Sequence, residues 1–75
     1  MDVGKALKVI SERSGVSQAD ICHATGISDA YISQVFGSKI VNPRFDRVCE
    51  IADVLHVSLD EVGKLAKSLP DPVRE

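Results

Sequence analysis

Net positive charge is missing from this sequence. Nine lysines and arginines stand against eleven aspartates and glutamates in 75 residues, for a formal net charge of −2 and a pI near 5.6. A uniformly basic nucleic-acid-binding domain is excluded, but not one that carries its positive charge on a single face. From Ser38 to Arg47 the charges are Lys39, Arg44, Asp46 and Arg47, a local positive excess, while Asp53, Asp60, Glu61, Asp71 and Glu75 gather further on. No run approaches the ~18 apolar residues of a membrane span, and no apolar signal stretch follows Met1, so a cytoplasmic protein is expected. Cys22 and Cys49 are too few for a disulfide framework and suit a reducing compartment. Neither has further ligands at metal-binding spacing, and His23 and His56 are isolated, read as surface or edge residues. The chain lacks a Ser/His/Asp grouping, a paired-carboxylate site and a phosphate-cradling glycine loop, so neither an enzyme nor a cofactor is expected. It also lacks strand patterns, internal repeats and low-complexity segments. What remains is one all-α domain over residues 1–69 with a short tail, 70–75. A chain of this length buries only about 60% of its unfolded surface, so its core is small.

The stretch from Ser17 to Phe36 organises the rest. Ser17 can cap a helix over Gln18 to Thr25. Gly26 suits the positive φ at which a helix stops and the chain turns. Ser28 can cap a second helix, Asp29 to Phe36, whose apolar positions Ile32 and Val35 share a face. Two short helices meeting at a glycine make a helix-turn-helix, whose second helix can enter a DNA major groove.

Around this pair, Val3, Leu7 and Ile10, with Ala6 beside them, predict a first helix from Asp2 to Ser14 with Asp2 as N-cap and Gly15 beyond its end. Lys5, Lys8, Glu12 and Arg13 then fall mainly on its solvent side. Asn42 is read as the cap of a fourth helix, with Pro43 at its first position and Val48, Ile51, Ala52 and Leu55 as its buried stripe. Ser58 and Glu61 have capping-box spacing at the start of a fifth, with Leu59, Val62, Leu65 and Ala66 as its apolar face and Pro70-Asp71-Pro72 as its stop.

Ser17-Gln18, Ile21, Gly26-Ile27-Ser28 and Ile32-Ser33-Gln34-Val35 resemble the helix-turn-helix of the phage Cro/repressor family, the lambda-repressor-like domains. A second matching segment follows: Asn42-Pro43, Val48, Ile51-Ala52, Leu55 and Val57-Ser58-Leu59-Asp60-Glu61-Val62. Together they cover roughly Lys5 to Val62. The resemblance implies a compact five-helix domain. It also implies that Ser28, Asp29, Ala30 and Gln34 meet base edges, and Ser33 is outward on the same helix. Gln34 can pair bidentately with adenine, Ser33 can donate or accept, and Ala30 can touch a thymine methyl. Asp29 either accepts from cytosine N4 or strengthens the start of its own helix. Gln18 stands where the family touches phosphate. Tyr31 can reach a phosphate or pack its ring inward. Lys39, Arg44 and Arg47 are backbone-contact candidates or plain surface charges, and Arg44 can alternatively enter a narrow minor groove. Cys22 stands where the family has alanine, at the close approach of the two helices, a place for a small buried thiol. Many members pair an arginine in the first helix with a carboxylate after the recognition helix. Ser11 and Phe36 stand there instead, which leaves no buried charge unpaired and makes Phe36 a core residue.

The expected function is sequence-specific binding of double-stranded DNA by a transcriptional regulator: a repressor, Cro-like protein or controller protein. A homodimer on a two-fold symmetric operator is its natural form, with Val57, Leu59, Leu65 and Leu69 as interface candidates. The rival expectation is a protein-interaction module, or an antitoxin, that uses the same fold to bind a protein partner.

Overall fold

Local signals at both ends fix the first three helices. A computed structural model describes residues 2–40 and 42–69. The Asp2 carboxylate accepts the Lys5 amide at 2.9 Å and opens α1, Val3–Ser14, which ends at Gly15 with φ 70°. Ser17 opens α2, Gln18–Thr25, through a reciprocal capping box with Asp20. The Ser17 amide, and then its hydroxyl, hold the Asp20 carboxyl below the usual range. Gly26, at φ 74°, ends α2. The Thr25 hydroxyl ties the turn, donating to the Ile21 carbonyl at 2.7 Å and accepting the Ile27 amide at 3.1 Å. Ser28 then caps α3, Asp29–Phe36, by accepting the Tyr31 amide.

The start of the fourth helix corrects the sequence expectation. Helix α4 is Phe45–Leu55, its N-cap is Arg44, and no side chain caps it locally. Asn42 and Pro43 therefore lie outside the helix. Pro43 biases Asn42 towards an extended backbone, and the Tyr31 hydroxyl accepts the Arg44 amide at 3.2 Å. Arg44 is held extended at φ −61°, ψ 137°, so helical dihedrals begin only at Phe45. His56 ends α4 at φ 59°, a conformation costly for a non-glycine residue. Ser58 caps α5, Leu59–Ser68, by accepting the Glu61 amide. The expected stop at Pro70-Asp71-Pro72 lies outside the described residues.

All described regular elements are helices, and the fold is all-α. Leu7, Ile21, Ile32, Val35 and Ile51 are fully enclosed at its centre. Helix α1 packs on α3, α4 and α5. It approaches α3 so closely that a Cβ on Gly4 would fall inside the Val35 carbonyl oxygen's contact distance. Asp2 does more than cap. Its second carboxylate oxygen accepts the Ser38 hydroxyl at 2.7 Å, and its amide donates to the Ala66 carbonyl at 3.3 Å. One residue thus ties α1 to α5 and to the segment that follows α3.

Ser11 is buried, and its hydroxyl donates to the Val16 carbonyl at 2.6 Å. Phe36 is half-buried against the core. Both line one hollow of about 290 Å³ with Lys8, Glu12 and Gln18. No charge is stranded at this junction, and among the described residues no buried side-chain polar atom lacks a partner.

Candidate nucleic-acid interface

Helix α3 turns Ile32 and Val35 into the core and leaves Ser28, Asp29, Ala30, Ser33 and Gln34 exposed. The exposure follows from the helical period, because positions 30, 33 and 34 fall opposite the buried pair. Ser28 spends its hydroxyl on the helix cap. No hydrogen bond from the Ser33 or Gln34 side chain is made within the described residues. Their donors and acceptors are free for a ligand.

The helix tip is different. Gln18 Nε2 donates to Asp29 Oδ1 at 2.9 Å and, more weakly, to the Asp29 carbonyl at 3.4 Å. The half-buried Cys22 thiol approaches the same Oδ1 at 3.7 Å. Desolvation, and then the neighbouring Asp29 carboxylate, push the thiol's pKa up. Asp29 therefore does not cap its own helix; Ser28 does. Gln18 has turned its side-chain donors onto Asp29, leaving its backbone amide as its free donor towards a phosphate.

Two of the three basic candidates are already paired with acids. Lys39 is exposed just past α3, with its own amide anchored on the Gln34 carbonyl at 2.9 Å. Arg44 is exposed beside Asp46 at 3.2 Å, and Arg47 pairs with Glu50 at 3.2 Å. Exposed pairs of this kind hold weakly and exchange readily for a phosphate. Arg47 shares a hollow with Ala24, Thr25 and Val54 on the α2–α4 side. Tyr31, half-buried, packs its ring on the core and commits its hydroxyl to Arg44.

A family model described as a helix-turn-helix domain matches residues 2–65. The chain belongs to the helix-turn-helix domain family. No curated protein and no solved structure matches it. The match takes in all of α1 to α4 and most of α5, so the helix-turn-helix domain is the whole packed unit and not the α2–α3 pair alone. Membership carries DNA binding by a regulator as its general sense. Among the described residues, no helix is long and apolar enough to cross a membrane.

Two residues of this helix-turn-helix domain escaped the sequence reading. Lys8 lines both the hollow at the start of α2 and a second one, of about 430 Å³, beside the end of α3 with Lys5, Phe36 and Ser38. It is a cation next to both ends of the motif. Its solvent-side position was legible, but its neighbours were not. Phe45 continues the α4 stripe of Val48, Ala52 and Leu55 by one turn, yet it is 71% exposed. It borders an apolar hollow of about 420 Å³ with Val3, Pro43, Val48, Leu59 and Val62. Of the four interface candidates, Leu59 is exposed, whereas Val57, Leu65 and Leu69 lie half-buried against their own core.

Proposed function

We propose that this helix-turn-helix domain is a sequence-specific double-stranded DNA-binding transcriptional regulator of the Cro/repressor type, without enzymatic activity, that reads the major groove with α3. The supporting observation is the outward face of α3, where Ala30, Ser33 and Gln34 stand exposed and their side chains make no hydrogen bond to a described residue. Gln34 presents a donor and an acceptor together, the combination that matches adenine N6 and N7. Lys39, immediately past the helix, supplies a cation for the adjoining phosphate.

These two roles separate in a binding experiment. Gln34→Ala is expected to cost about 1–3 kcal/mol on a selected site and to relax preference at one base pair. Lys39→Ala is expected to weaken all sequences alike and to reduce the salt slope by about one. Affinities measured from low to moderate salt distinguish the two patterns. Unchanged binding of the selected site by Gln34→Ala would remove α3 as the reader.

The same reading implies a homodimer, since one domain of this size spans only one half-site. Phe45 and Leu59, the two exposed large hydrophobics among the described residues, rim the apolar hollow and support a second copy packing there. Phe45→Glu places an acid in the first turn of α4, which suits the helix dipole, so the fold is retained. Sedimentation is expected to give a dimer for the wild type and a folded monomer for Phe45→Glu. Loss of linked binding lowers operator affinity by at least about a hundredfold, and half-sites lie about 10 bp or a multiple apart. A wild-type monomer at high concentration would refute the dimer. It would leave the apolar rim to a protein partner, as in an antitoxin.

A further inference from the structure

Side-chain chemistry at the tip of α3 points to a particular kind of base. We propose that Asp29 and Gln18 act as one acceptor unit that selects a base carrying an amino group in the major groove, cytosine above adenine, at the pair facing the start of α3. This rests on the DNA-reading function proposed above and specifies one position of its site.

Gln18 fixes the polarity of the unit. Its amide group lies against two oxygens of Asp29, at 2.9 and 3.4 Å. An amide oxygen there would face two acceptors, so the nitrogen must occupy that position. Both contacts of that nitrogen are then to Asp29. Cys22 adds a third donor on the same side, towards Oδ1. Asp29 Oδ1 is thus served from within the domain, while Oδ2 and Gln18 Oε1 remain. Both are acceptors, and no described residue donates a hydrogen bond to either. The N-cap is already supplied by Ser28, so the Asp29 carboxylate is not needed to begin its helix.

An acceptor-only tip discriminates among bases by simple complementarity. In the major groove, guanine shows O6 and N7 and thymine shows O4, all acceptors, which repel the unit. Cytosine N4 and adenine N6 are the only donors there. Adenine flanks its amino group with the N7 acceptor, which a carboxylate opposes, whereas cytosine flanks its own with a C–H. Cytosine is therefore favoured. The same logic makes the Gln18 side chain a positioning group that holds the Asp29 carboxylate, and leaves any phosphate contact to the Gln18 backbone amide.

The test uses the full chain. A bound site is selected from randomised duplexes, and affinities are measured for that site and for its substitutions one pair at a time, at fixed salt. The wild type is expected to prefer cytosine at one pair by about five- to a hundredfold. Asp29→Asn, which adds a donor to the acceptor, is expected to move that preference to adenine, with every other pair unchanged. Gln18→Ala is expected to relax the same pair only. The proposal falls if Asp29→Asn raises affinity for all sequences equally, since the carboxylate then acts only by repelling phosphates. It also falls if Gln18→Ala weakens all sequences equally, the signature of a phosphate contact. In both cases a selected site that still depends on Gln34 leaves the DNA-reading function standing. Failure of the wild type to prefer any sequence overturns that function and this proposal together.

Discussion

Gly4→Ala is expected to destabilise the domain by about 3 kcal/mol, the upper part of the usual range for overpacking a core. The added carbon meets the Val35 carbonyl, which belongs to a helix backbone and cannot rotate away as a side chain could. Either α1 lifts from α3 or the end of α3 deforms, and both loosen the packing around Leu7. The gain in helix propensity offsets only about 0.5–1 kcal/mol. For a domain of this size the melting temperature falls by about 12–24 °C. Gly63→Ala supplies the opposite sign within the same protein. Its Cβ meets nothing within 4 Å, so it is expected to stabilise α5 by about 0.5–1 kcal/mol. Thermal unfolding followed by circular dichroism checks both, and equal effects from the two substitutions would refute the close α1–α3 approach.

Ile32→Ala is the second large loss, about 2–5 kcal/mol. Ile32 is fully buried, on the same helix that exposes Ser33 and Gln34. The total stability of a 75-residue chain is about 4–11 kcal/mol, so a sizeable unfolded fraction is expected near body temperature. Ile32→Val removes a single methylene and is expected to cost about 0.5–1.5 kcal/mol. Urea midpoints separate the two. Because neither change touches the outward face, DNA affinity corrected for the folded fraction should be unchanged. A corrected loss for Ile32→Val would mean that the core residue also sets the pitch of the reading helix.

The sequence made the helix boundaries legible wherever the signal was local. Ser17, Gly26 and Ser28 act within three or four residues of themselves, and the spans of α2 and α3 could be read from them. The start of α4 could not, because the group that holds Arg44 is a hydroxyl 13 residues earlier, on Tyr31. Asn42-Pro43 looks like a helix start only while that partner is out of view. The site divides in the same way. Exposure of Ala30, Ser33 and Gln34 follows from a period of three to four around Ile32 and Val35. The commitment of Gln18 to Asp29 spans 11 residues and needs the angle between two helices, which no local pattern encodes. Phe45 shows the converse failure. Its place on the α4 stripe implies burial, but it stands at the rim of an open hollow between α4, α1 and α5 and is 71% exposed.

The closure of α1 on α5 sets the order in which the protein can be completed. The reading pair α2–α3 is contiguous in the chain, but Ala6, Leu7 and Ile10 on α1 wait for Val62 and Ala66 to cover them. During synthesis those three side chains are made well before their cover. At ribosomal speeds of about 5–20 residues per second, the interval between Leu7 and Ala66 is roughly 3–12 s. Throughout it the nascent chain carries a sticky amphipathic helix beside an unsupported motif, which exposes it to chaperones and proteases. Until Ala66 is in place, the chain contains the whole recognition sequence but not the scaffold that holds it rigid.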